Sequence, residues 1–285
     1  MIYISSDSTS DLYSLFETRN IRTLPLVVIL GENSYFDGVD VTPDDIYSFV
    51  KKNNILPKTA ARSVEEHKEF FSSIIKSDED SLIHFTISGE ISVTAQNAAI
   101  AAKAFKNVYV VDGKSLSTGT GLLVLYACDL RDSGKYSAKE IYEKVLARIP
   151  FVEASFFVDT MEYLYKGGRC SGLASFFATA LKLKPSLLLK DGKIVVGKKF
   201  RGTSVNIADK YVDNIFEMYP NPDLKRIFIT HTSAEPEVIE KIRQQVEKHF
   251  KFEEIYVTVA SSTITSHCGK GTIGILFIND GNHEI

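Results

Sequence analysis

The chain has 285 residues, 44% hydrophobic and 24% charged, with a formal net charge of −3. That length exceeds one typical domain and supplies apolar material for a core plus a ligand cavity, while the slightly acidic balance argues against a broad nucleic-acid footprint. The opening Met1-Ile2-Tyr3-Ile4-Ser5-Ser6-Asp7 lacks the basic segment and long apolar core of a signal peptide, and no apolar run approaches the roughly 18 residues of a membrane span. A soluble protein without integral membrane association is therefore expected. Three cysteines, Cys128, Cys170 and Cys268, stand at long spacings with no pairing pattern, which fits a reducing compartment and gives the cytoplasm as the expected location.

Along the first half, apolar strands at Ile2–Ser5, Thr23–Leu30, Leu82–Thr86 and Val108–Val111 alternate with amphipathic segments, the signature of α/β structure with a mainly parallel sheet flanked by helices. Thr42 before Pro43, with Asp45 beyond, marks one helix start; Ser63 with Glu66 forms a capping box at another. Further helices are expected near Ser92–Phe105, Ser117–Arg131 and Ser137–Ile149. After Phe151 the pattern changes: Lys184–Lys190 and Lys193–Phe200 flank Asp191-Gly192, a dipeptide favouring a type I′ hairpin. Strands at Arg226–Thr230 and Glu254–Val259 flank a helix at Pro236–Phe250, and Thr272–Ile278 closes the chain. The expected division is an N-terminal α/β domain over 1–160 and a C-terminal α/β domain over 161–285 with mixed or antiparallel sheet. No Pro/Gly/Ser linker separates them, so close packing and a ligand between them are expected.

Three polar motifs punctuate this frame. Ser88-Gly89-Glu90-Ile91-Ser92-Val93-Thr94 lies where a parallel strand hands over to a helix, a position whose backbone N–H groups favour an anion; taken alone, Ser92 reads first as a helix N-cap. Gly167-Gly168-Arg169-Cys170 combines paired glycines, suited to a helix C-cap, with a guanidinium that could grip a carboxylate or phosphate in a bidentate manner or pair with an acid across the domains. Ser266-His267-Cys268-Gly269-Lys270-Gly271 places a histidine on a glycine-flanked turn before a strand. Gly113-Lys114-Ser115 invites a phosphate-loop reading, but Val108 stands where that loop needs glycine. The six histidines are scattered, no group has metal-ligand spacing, and neither metal nor cofactor is expected.

The order and spacing of these motifs resemble the DegV family of lipid-binding proteins over nearly the whole chain. Ser92, Thr94 and Gln96 stand where the family pattern has its serine, threonine and glutamine, and Thr59 matches a threonine beside that serine. The resemblance implies that Ser92, Thr59 and His267 contact a fatty-acid carboxylate, with Arg169 a fourth candidate. Thr94, Gly168, Lys270 and Arg62 are secondary candidates, the two cations having solvated surface as their alternative role. Departures fall at Ala60-Ala61-Arg62, at Val93 and at Lys270, where the family has proline. The implied protein is a carrier, not a catalyst: one long-chain fatty acid in an interdomain tunnel, with Phe156, Phe176, Phe177 and Leu181 as candidate walls. It would present the carboxylate to a partner fatty acid kinase, and the acyl phosphate would enter phospholipid synthesis. The rival is a serine hydrolase using Ser92 and His267 with Asp112 orienting the imidazole, although no Gly-x-Ser-x-Gly elbow surrounds Ser92.

Overall fold

The computed structural model of the protein describes residues 1–168 and 183–281. Strands Ile2–Asp7 (β1), Ile21–Leu24 (β2), Ser81–Thr86 (β6) and Val108–Asp112 (β7) form an entirely parallel sheet in the order β2-β1-β6-β7. Helices Val64–Ile74 (α2) and Thr94–Ala102 (α3) cover one face through Phe71, Ile74, Ala98 and Ala101. The expected alternation and capping boxes are present: Thr42 with Asp45 opens Pro43–Asn53 (α1), and Ser63 with Glu66 opens α2.

The stretch expected as one strand over Thr23–Leu30 is two. Pro25 cannot donate to a ladder, and the chain leaves the parallel sheet there. It resumes as Val27–Leu30 (β3) in a small antiparallel sheet with Asn33–Phe36 (β4) and Lys58–Ala60 (β5). This break matters for the site, because β5 carries Thr59.

The third sheet has six strands. Val152–Phe157 (β8) is flanked by Leu183–Lys190 (β9) and Ile273–Ile278 (β13); Lys193–Arg201 (β10), Arg226–His231 (β11) and Glu254–Val259 (β12) complete the order β10-β9-β8-β13-β11-β12. All its pairings are antiparallel except β11 with β12, giving the mixed sheet expected of the second half. Asp191 (φ 50°) and Gly192 (φ 79°) both take left-handed backbone at the β9–β10 tip, as a type I′ turn requires. A division at 160 would cut β8 from the sheet to which it pairs; the chain changes sheets before Val152, after helix Ala138–Arg148 (α5).

Between the sheets runs Thr118–Asp132 (α4), buried from Thr118 through Cys128. It packs on β1 and β6 on one side and on β8, β11 and β13 on the other, so a single apolar core joins both halves. Two helices, Ser204–Met218 (α7) and Pro236–His249 (α8), cover the outer face of the six-stranded sheet. The former is absent from the sequence expectation, although Ile207, Tyr211, Val212 and Ile215 have helical spacing behind a Thr203 N-cap. A short helix, Glu162–Lys166 (α6), precedes the glycine pair.

Candidate functional site

Thr59, Ser92 and His267, far apart in sequence, line one cavity of about 590 Å³ including its open side. The remaining wall is mostly apolar: Leu26, Ile87, Ile91, Leu116, Leu164, Ile194 and Ile264. A second chamber of about 330 Å³ shares Leu116, Ile264 and Cys268 with the first and continues past Phe156, Ala260 and Leu276 toward the centre of the six-stranded sheet. The open side is bounded by Thr59, Gly89, Glu90, Ser92, Gly168 and Lys193. The two chambers adjoin at Leu116, Ile264 and Cys268, and the first carries the Thr59 and Ser92 hydroxyls and the His267 imidazole.

Each polar group is held by its element. His267 is not on a turn, as its glycine neighbours suggest, but in the last turn of Ser262–Cys268 (α9). Ser261 caps this helix by accepting the Ile264 amide at 3.2 Å, and burial of every residue except His267 offsets the weak helix propensity of its Ser/Thr-rich sequence. The His267 Nε2 and Thr59 Oγ1 are hydrogen-bonded at 2.8 Å, linking α9 to β5. Gly167 closes on the same ring: a Cβ there would lie 2.7 Å from His267 Nδ1 and 2.8 Å from the Tyr163 carbonyl, so this position requires glycine for space. The left-handed residue of the pair is Gly168, at φ 71°, whereas Gly167 remains helical.

Ser92 precedes α3. Its Oγ accepts the Thr94 amide at 3.2 Å and lies 2.8 Å from the Thr94 Oγ1, while Thr94 itself is fully buried. The formal N-cap position falls on Val93, one residue beyond the expectation. The amides of the loop ahead of α3 are engaged within the loop or by Asp112. Gly89 N–H donates to Asp112 Oδ1, Glu90 N–H to Ser88 Oγ, and the Ile91 and Ser92 amides to the Ser88 carbonyl. Hydroxyl groups are what this loop offers to the cavity.

The early segment Asp7-Ser8-Thr9-Ser10-Asp11 fixes both sides of the site. Asp7 accepts the Ile87 amide at 2.8 Å, pinning the strand exit that leads to Ser92. Asp37 Oδ1 accepts the Ser262 amide (2.8 Å), Asp37 Oδ2 the Thr263 amide (3.2 Å), and Asp11 Oδ1 the Ser261 amide (2.9 Å). Two buried carboxylates thus anchor the first turn of the helix that carries His267. Burial pushes the Asp7 carboxyl up to about 6 and the Asp11 carboxyl up to about 8, against hydrogen bonds that pull each down.

Other candidates fall elsewhere. The Arg62 guanidinium pairs with Glu66 at 2.9 Å and stacks on the Phe36 ring at 4.7 Å. The Lys270 Nζ lies over the Tyr47 ring at 5.7 Å. Neither lines the cavity, because each cation has a local partner. Arg169, Cys170, Phe176, Phe177 and Leu181 lie outside the described residues. Asp112 is held by Lys114 Nζ at 2.9 Å and by the Gly89 amide, and the Ser92 hydroxyl faces Thr94, so the geometry does not assemble Ser92, His267 and Asp112 as a nucleophile, base and orienting acid. Among the described residues no group of His, Cys, Asp and Glu side chains could hold a metal ion, and no helix is long and apolar enough to cross a membrane.

The hairpin β9–β10 was not singled out in sequence as part of a site. It contributes Ile194 to the cavity wall, and its tip is tied to the serine loop where Ser88 Oγ donates to the Gly192 carbonyl at 2.9 Å and Lys193 pairs with Glu90 at 3.4 Å.

A parallel sheet and a mixed sheet thus frame a largely apolar cavity that carries two hydroxyls and an imidazole at Thr59, Ser92 and His267. The DegV family profile, described as "uncharacterised protein, DegV family", matches residues 1–280, and the chain belongs to that family. A DegV domain-containing protein of Clostridium acetobutylicum is 30% identical over 281 residues, covering 97% of this chain and 98% of its own. Two solved structures are similar throughout. A DegV family protein from Thermus thermophilus, described for its fatty acid binding, superposes with a TM-score of 0.89 at 29% identity, covering 98% of this chain and 99% of its own. DegV of Bacillus subtilis, described as a fatty acid binding protein, gives 0.84 at 27% identity, covering 98% and 99%.

Proposed function

We propose that this chain binds one long-chain fatty acid, its alkyl tail in the apolar chambers and its carboxylate at the end formed by Thr59, Ser92 and His267. The observation that carries the reading is the convergence of these three residues on one cavity whose other walls are mostly apolar. Relatives alike over their whole length that are described as binding fatty acids support it. Each methylene moved from water into such walls contributes about 0.8 kcal/mol before ordering losses, so the tail supplies affinity and the polar end sets orientation. With a proton on Nε2, His267 donates to Thr59 Oγ1, and the Thr59 O–H can donate to the carboxylate, a short chain of polarised hydrogen bonds. Arg169, just beyond the described mouth residue Gly168, is a fourth carboxylate candidate.

The finer reading is a cytoplasmic carrier, itself without catalytic activity, that offers the carboxylate to a partner fatty acid kinase, the acyl phosphate feeding phospholipid synthesis. The head-group end next to the open side of the cavity supports it, since a kinase must reach that oxygen. Incubating the protein and palmitate with a cognate kinase and ATP should yield acyl phosphate, and Ser92→Ala should reduce the yield. Palmitate binding without any acyl phosphate would remove the kinase step and leave the carrier.

A further inference from the structure

The six-stranded sheet ends in two edges of opposite character. β10 carries Lys193, Lys198, Lys199 and Arg201 and a register shift between Val196 and Lys199, devices that keep other strands from adding to an edge. β12 has neither. Its one charged residue is Glu254, it pairs with β11 along its whole length without a register shift, and Val257 and Val259 are 45% and 49% exposed. The Glu254 amide donates to the Lys225 carbonyl and the Ala260 amide to the His231 carbonyl. Alternate residues therefore bond to β11, and the N–H and C=O groups of Val257 and Val259 point away from the sheet.

Along this edge runs a groove of about 1150 Å³ including its open side. Besides Val257 and Val259 it is lined by Tyr13 and Val39, both also exposed, so large apolar side chains left in water by two separate parts of the chain meet in one place. No Lys or Arg lines it. Its exposed charges are Asp40 and Asp45, which accept from the Phe36 amide and from the amide and hydroxyl of Thr42. Ser261 and Ser262 also line the groove, and they open α9, the helix that carries His267.

We propose that this edge is a docking site for an extended segment of a partner protein that bears Lys or Arg, the segment adding to the sheet beside β12. Backbone hydrogen bonds to Val257 and Val259 supply the attachment, alternate apolar side chains cover the two valines with Tyr13 and Val39, and the cations face Asp40 and Asp45. A second copy of the chain is the poorer occupant. Pairing β12 with β12 would bring two acidic grooves together, and pairing the basic β10 edge with β12 would build an open head-to-tail array.

The test is fluorescence anisotropy of a labelled peptide, Lys-Val-Thr-Val-Lys-Val-Lys, titrated with the full chain beside a counterpart in which every Lys is Glu. The wild type should bind the basic peptide saturably and the acidic one about tenfold more weakly or less still. Val257→Lys should weaken the basic peptide by about tenfold, the worth of one buried valine side chain. Asp40→Asn should weaken it and flatten its dependence on salt. Both variants should keep the wild-type thermal midpoint and palmitate affinity, which separates loss of docking from loss of the fold. Absence of saturable binding, equal binding of the two peptides, or binding unchanged in Val257→Lys would overturn the proposal. So would a wild type that sediments as a dimer or larger array and becomes monomeric in Val257→Lys, since the edge would then belong to a second copy.

Discussion

Thr59 and His267 are 208 positions apart in sequence, and their 2.8 Å hydrogen bond is where the first and last parts of the chain meet at the ligand end of the cavity. Thr59→Val keeps the shape of the wall and removes the hydroxyl. On the proposed account it weakens palmitate binding by about 1.5–3 kcal/mol, the range for a hydrogen bond to a charged group. Calorimetry checks this, with the thermal midpoint showing whether the fold is retained. Asp11 acts at the same scale through protons. Its carboxyl is raised to about 8 in the folded protein from an ordinary 3.8, so between these values the folded state holds a proton that the unfolded chain has released. This contribution to stability is full below about pH 4 and is lost as pH rises through about 8. The stability of wild type minus that of Asp11→Asn, measured by urea unfolding, should therefore fall as pH rises from 4 to 8. His67 and His84, whose values burial lowers, give the opposite slope in both proteins and cancel in the difference.

At the scale of elements, the sequence displays those edges that side-chain chemistry marks and conceals those set by packing. Thr42-Pro43 and Ser63 with Glu66 announce helix starts because the capping groups are local. The Asp191-Gly192 turn is legible for the same reason. Helix α9 is not: Ser-Thr-Ile-Thr-Ser has little helical preference, and what holds it is the pair of carboxylates, Asp11 and Asp37, that receive its first amides from elsewhere in the chain. The cavity walls are hidden for a different reason. Ile87, Leu116, Ile194 and Ile264 follow the same apolar pattern whether they face core or cavity, so periodicity does not distinguish the two. The local caps supply a control distant from the ligand: Ser137 with Glu140 forms a capping box on α5. Ser137→Ala should lower stability by about 1 kcal/mol, read as a fall of about 2–4 °C in thermal midpoint, with palmitate affinity unchanged.

At the scale of the molecule, the cavity is built from the two sheets that hold β5 and β10, from the loops leaving the parallel sheet and from α9, and α4 fixes the two larger sheets against each other through one shared core. Ligand affinity and stability are then coupled, since only the assembled chain has the site. Palmitate at a hundred times its Kd should raise unfolding free energy by about 2.7 kcal/mol, visible as an upward shift of the thermal midpoint that is smaller in Ser92→Ala at the same palmitate concentration. The change from parallel to antiparallel pattern after Phe151 was readable in the sequence. That β8 already belongs to the second sheet was not, because strand partners are chosen by tertiary contacts that a local window does not contain.

The most direct test of the carrier account is to denature the purified protein gently, extract it into organic solvent and identify any released lipid by mass spectrometry, for the wild type and for Ser92→Ala. The account expects about one fatty acid per chain from the wild type and markedly less from the variant. A wild type that yields no fatty acid, even after incubation with mixed fatty acids, would contradict it.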